Sequence, residues 1–250
     1  MVIETLLLTF ALLGVATLLQ TLSGFGFGLI VVSSFTLLNI MPLTATTFLV
    51  SFLSLFNSVS LVFKNTHHVN KRAFNILLVT AIPFMAAGYV LLEYLSQSLS
   101  HWLNIMLGGV ILLCCGLLLI KRSAVERAEP SIGFGVAGAM SGLLGGLFST
   151  FGPPVVFQCY RQQWSITEIR ITLLAFFCFT SLMRLIVVPF GTLPSYDILL
   201  STLFAVPIVL LFTRIGRLLA AKVSAKHIKL LALLMLTLSG SLLIIQNITL

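Results

Sequence analysis

Apolar residues run through this chain in blocks long enough to cross a lipid bilayer, and polar residues fall mainly between the blocks. A helix needs about 20 predominantly apolar residues to span the hydrocarbon. On that measure the pattern predicts spans at about 43–63, 73–94, 102–120, 169–190, 197–213 and 228–246. Two further apolar stretches, residues 5–40 and 132–158, are interrupted by glycine. The first interruption is Ser23-Gly-Phe-Gly-Phe-Gly28. The second lies in Ser141-Gly-Leu-Leu-Gly-Gly-Leu-Phe-Ser-Thr-Phe-Gly-Pro-Pro154. Glycine weakens a helix by about 1 kcal/mol, and Pro153-Pro154 cannot continue one. Backbone freed in lipid persists only where it is buried in protein or lines a cavity. Paired breaks in the two halves of a membrane chain point to a transporter's binding site. The alternative is close helix packing through small residues.

The strongly charged segment 121–130 divides the chain nearly in half, giving a first membrane repeat (1–121), a cytoplasmic linker (122–131) and a second repeat (132–250). Ala81-Ile-Pro83 corresponds to Ala205-Val-Pro207, and Cys115-Gly116-Leu117-Leu118 to Ser239-Gly240-Ser241-Leu242, both at an offset of 124. Ser23-Gly24 matches Ser141-Gly142 at an offset of 118, which implies six residues gained near Arg161–Trp164. Basic residues form clusters at Lys64/Lys71/Arg72, Lys121/Arg122/Arg127, Arg161/Arg170 and Arg214/Arg217/Lys222/Lys226/Lys229. If each glycine segment enters and returns, all four clusters face the cytoplasm, as the positive-inside rule asks. The halves are then inverted repeats. A single crossing per glycine segment would make them parallel and split the clusters between the two sides.

Composition agrees with a membrane chain. Apolar residues make up 59% and charged residues 8%, with a mean hydropathy of +1.16. A soluble domain would carry about a quarter charged residues. The expected class is an all-α, multi-pass protein of the cell inner (plasma) membrane. Met1-Val-Ile-Glu4 has no basic segment, so a cleaved signal peptide is not expected. The net charge of +8 sits between apolar runs and reads as orientation, not nucleic-acid binding. Cys114, Cys115, Cys159 and Cys178 have no zinc-like spacing, so no metal or cofactor is expected. His67, His68 and His227 read as solvated loop residues. An intramembrane enzyme with Ser141 as nucleophile would need a base within reach, and no histidine lies inside a predicted span.

Ser23-Gly-Phe-Gly-Phe-Gly28 and the Ser141–Pro154 segment resemble the repeated glycine signature of the TauE/SafE family of sulfite and organosulfonate exporters. Pro83-x4-Gly88 and Arg214-Ile-Gly-Arg-Leu218 look like that family's second pair of helices. The first signature departs from the family pattern, with Val31-Val32-Ser33-Ser34 in place of a glycine doublet and a following proline. The resemblance implies a membrane transporter for small anions containing sulfur or carboxylate. Its partners would be the anion and the lipid bilayer, with the oligomeric state open and a homodimer among the alternatives. An anion channel and a non-transporting membrane subunit are the rival readings.

Physics also favours an anion. Where a broken helix restarts, its first N–H groups lack helical partners and carry the positive end of the dipole. Glycine lets an oxyanion approach them closely. The candidate substrate-binding residues are therefore Ser23, Gly24, Gly26 and Gly28 from the first break. From the second come Ser141, Gly142, Gly145, Gly146, Ser149, Thr150 and Gly152. Arg184 is added as the basic residue well within a span, where a charge is a functional hypothesis by default. Asn57 and Ser181 correspond at the 124 offset and join as a polar pair. Gln20 and Gln158 flank the breaks as ligands or interhelical hydrogen-bond formers. A methyl group added at Gly146 is expected to hinder anion binding and to cost little stability.

Overall fold

The structure is a computed structural model that describes residues 2–63, 65–119, 131–190, 194–219 and 225–248. Among them are ten α-helices and no strand. The first half contains α1 (Val2–Ser23), α2 (Phe27–Leu37), α3 (Leu43–Val62), α4 (Lys71–Ser98) and α5 (Ser100–Leu119). The second contains α6 (Ser131–Phe148), α7 (Gly152–Tyr160), α8 (Ile166–Val187), α9 (Tyr196–Leu219) and α10 (Ala225–Ile248). Six of these are long and apolar enough to cross a membrane: α1, α3, α4, α6, α8 and α9. The chain is a multi-pass membrane protein. Its packing is that of a membrane protein too: Val79, Phe204, Leu211 and Leu234 face outward while Thr17, Thr47, Ser51, Asn57 and Arg184 are buried. Each predicted span coincides with a helix. The spans 102–120 and 228–246 fall on α5 and α10, whose described apolar stretches are shorter, His101–Gly116 and Leu236–Ile248. α9 continues past 213 through Arg214 and Arg217 to Leu219. Most of the charged linker lies outside the described residues.

Each break is shorter than the glycine content suggests. α1 ends at Ser23, whose hydroxyl donates to Leu19 O at 2.6 Å. The chain then turns through Gly24 (φ 86°) and Gly26 (φ 102°) before α2 begins. α6 runs unbroken through Gly142, Gly145 and Gly146 and stops at Phe148, and Ser149 turns the chain with φ 56°. The ends of α1 and α6, the starts of α2 and α7, and the left-handed residues Gly24 and Ser149 all correspond at an offset of 125. That corrects the expected match of Ser23-Gly24 with Ser141-Gly142. No six-residue gain is needed, because a Ser-Gly pair recurs easily in helices of small residues.

The halves exchange partners. α4 packs along α6 and α1 along α9, while α3 meets α8 and α5 meets α10. α4 and α9 carry the internal prolines, Pro83 and Pro207. The α4–α6 contact is a glycine seam. A Cβ at Gly138, Gly142 or Gly146 would overlap the carbonyl of Leu77, Ala81 or Met85 respectively. Those residues recur every four positions on both helices, so the glycine face of α6 lets the α4 backbone approach closely.

Candidate functional site

The two breaks meet across a small cavity. α2 supplies Phe27, Gly28 and Leu29, preceded by Gly26, and the second break supplies Ser149, Thr150, Phe151 and Gly152. Gln20 of α1, Ser54 of α3, and Phe177 and Ser181 of α8 complete the wall. About 30 Å3 is open to the centre of a water-sized sphere, room for roughly two waters. Neither helix start has a side-chain cap. In α2 the first helical bond is Ile30 N–H to Gly26 O at 3.0 Å, so the N–H groups of Phe27, Gly28 and Leu29 have no helical partner. In α7, Pro153 and Pro154 have no N–H at all, which leaves Gly152 as the donor of that first turn. The first half therefore offers more backbone donors than the second. Thr150 Oγ1 is buried in the same wall without a hydrogen-bond partner among the described residues.

A polar network braces one side of the cavity. Gln20 Nε2 donates to Ser54 Oγ at 3.2 Å, and Asn57 Nδ2 donates to Gln20 Oε1 at 2.9 Å. The Thr21 and Thr213 hydroxyls approach Asn57 Oδ1 at 3.2 and 3.0 Å. The other side is braced by Arg184, which is 1% exposed. Its Nε donates to Gly145 O at 3.1 Å and its Nη2 to Gly146 O at 3.2 Å. Its Nη1 donates to Thr47 O at 3.1 Å and to Ser51 Oγ at 3.2 Å. Gly145 and Gly146 belong to the last turn of α6. Gly145 O also accepts from Ser149 N–H at 2.9 Å, while Gly146 O is among the end carbonyls left without a helical donor. The cation thus closes the C-terminal end of α6 and opposes its dipole.

The sequence matches the model of the family described as "Sulfite exporter TauE/SafE" over residues 8–243. The chain belongs to the TauE/SafE family. It is also 33% identical over 207 residues to the "Probable sulfite/organosulfonate exporter TauE" of Cupriavidus necator, covering 83% of this chain and 81% of that protein. No solved structure matches it.

Within this TauE/SafE protein the candidate residues fall into distinct groups. Gly26, Gly28, Ser149, Thr150, Gly152 and Ser181 line the cavity. Asn57 lies behind the wall, bonded to Gln20. Arg184 holds the end of α6 outside the cavity lining. Ser23 and Gly24 form the α1 turn, with Gly24 packed against Arg170. Ser141 is buried in α6 with its hydroxyl unpartnered among the described residues. Gly142 and Gly146 pack on α4, and Gly145 packs on the Phe151 ring. The expectation that a methyl at Gly146 would cost little stability is therefore reversed. Gly28 is needed for close approach, because a Cβ there would come within 2.6 Å of Ser149 O.

Ser54, Ser51 and the lining phenylalanines were not singled out by the sequence pattern. Thr47, Ser51, Ser54 and Ser58 recur at helical spacing on α3, and all four are buried. That polar stripe in an apolar helix was the available signal.

Proposed function

We propose that this protein is a secondary transporter that exports a small sulfur oxyanion, sulfite or an organosulfonate, across the cell inner membrane. The observation that carries the reading is the meeting of two broken-helix starts, one from each half, at a single polar cavity. Unpartnered N–H groups there suit an anion, which gains from the dipole ends of both helices. Acidic side chains, which a cation site would use, are not among the lining residues. Family membership and the likeness to the C. necator exporter support the same substrate class.

The halves are read as inverted repeats with the basic loops in the cytoplasm. α1–α2 then enters from outside and α6–α7 from inside, and the tips meet in the membrane. The cavity admits roughly two waters, so this conformation is nearly closed and the site must widen to load. Most of its lining is buried, which favours a carrier that opens alternately to each side over a channel. An inside-negative potential drives anion exit by about 2.3 kcal/mol per charge per 100 mV. No catalytic role is assigned to any residue.

Flux from proteoliposomes loaded with sulfite tests the reading. Saturable efflux with counter-exchange is expected, reduced at least tenfold by Ser54→Leu, which fills the cavity. Flux that does not saturate identifies a channel. Sulfite efflux no faster than from protein-free liposomes overturns the substrate class.

A further inference from the structure

A larger cavity lies beside Arg184, with its mouth at the exposed residues Pro42, Gln97 and Ser195 and a volume of about 280 Å3. Arg184 and Tyr89 form part of its wall, with the guanidinium carbon 5.5 Å from the Tyr89 ring centre. All four hydrogen bonds of Arg184 among the described residues go to neutral acceptors: the carbonyls of Thr47, Gly145 and Gly146 and the Ser51 hydroxyl. A buried charge is costly to hold away from water unless counter-charge offsets it. The dipole of α6 and the Glu93 carboxylate, whose charge acts on Arg184, each offset part of this cost.

The start of α3 faces the same space. Pro42 provides no side-chain cap, and Thr44 and Ala45 of the first turn line the wall. The first helical bond is Thr46 N–H to Pro42 O at 2.9 Å, so the N–H groups of Leu43, Thr44 and Ala45 have no helical partner. Glu93 of α4 lines the cavity as well and is the group that opposes anion entry.

We propose that this vestibule is a second anion-binding site, taking a small oxyanion on Arg184 and the start of α3. The inference rests on reading the central cavity as the transport site. Ser149 lines that cavity, its hydroxyl lies 2.6 Å from Ser51 Oγ, and Ser51 accepts from Arg184. These three side chains form the partition between the two spaces. An anionic acceptor makes a stronger hydrogen bond than a carbonyl, so an oxyanion in the vestibule competes for the guanidinium. Drawing Arg184 off Gly145 and Gly146 loosens the end of α6 beside the central cavity. Occupancy of one site thereby opens the way to the other.

Equilibrium binding of radiolabelled sulfite to the full chain in nanodiscs tests this. Wild type is expected to bind two sulfites per chain, and Ser54→Leu one. In the Ser54→Leu background, Thr44→Asp should weaken the remaining site at least tenfold, and Glu93→Gln should strengthen it at least threefold. An acid at a helix start favours folding, so Thr44→Asp reports on the vestibule even if Arg184→Gln, expected to abolish this site, fails to fold. One site in wild type, abolished by Ser54→Leu, overturns the vestibule and leaves the central reading standing. A remaining site unmoved by Thr44→Asp and Glu93→Gln also overturns it. One site that responds to Thr44→Asp but not to Ser54→Leu keeps the vestibule and removes the central reading. No binding at all overturns both.

Discussion

The hydroxyls of Ser51 and Ser149 lie 2.6 Å apart, although the residues are 98 positions apart in sequence. The contact ties α3 of the first half to the break of the second. Ser149 holds φ at 56°, a left-handed conformation that costs a residue other than glycine about 1–2 kcal/mol.

Two substitutions separate the hydroxyl from the backbone at this position. Ser149→Ala and Ser149→Gly both delete the hydrogen bond, but only alanine keeps the left-handed penalty. Ser149→Gly should be the more stable of the two by about 1 kcal/mol, read from unfolding of the detergent-solubilised protein. Equal stabilities would mean that the turn relaxes in solution.

The glycine seam predicts a contrast between Gly146 and Gly116. A Cβ at Gly146 overlaps α4 backbone, whereas one at Gly116 meets nothing within 4 Å. Gly146→Ala should destabilise the protein by about 1–3 kcal/mol or more. Gly116→Ala should be neutral or stabilising by up to about 1 kcal/mol. The same unfolding measurement decides, and equal effects would remove the seam as the reason for glycine at Gly146.

Asn57 joins α1, α3 and α9 through Gln20, Thr21 and Thr213. Asn57→Leu strands buried polar partners, at about 1–3 kcal/mol for each group left unsatisfied. It also releases Gln20, which shares the cavity wall with Ser54. The expected result is lower stability together with a raised KM for sulfite flux. Unchanged KM in a destabilised protein would restrict the network to packing.

Topology is tested by single cysteines at Asn65, Ser123, Gln163 and Ser224 in a background without native cysteines. The positive-inside rule with inverted halves requires all four to be protected from an impermeant thiol reagent in intact cells. Labelling at Gln163 or Ser224 from outside would establish parallel repeats instead.

The length and spacing of the apolar runs were enough to locate the six unbroken helices and most of their ends. The bilayer imposes a length on every span, and that length is a local property of the chain. The two breaks were visible for a similar reason, since proline and left-handed glycine act on their own backbone. Which glycine turns the chain and which packs was not a local matter. Gly146 resembles Gly152 in sequence, yet the first lies against Met85 on α4 and the second lines the cavity. The charge at Arg184 stood out within its span, but its acceptors at Thr47 and Gly145 are 137 and 39 positions away. Local sequence therefore determined that the chain crosses the membrane and that its backbone breaks once within each of the two glycine-rich stretches. Only the tertiary structure decided which side chains face the cavity, because that depends on which helix lies beside each residue.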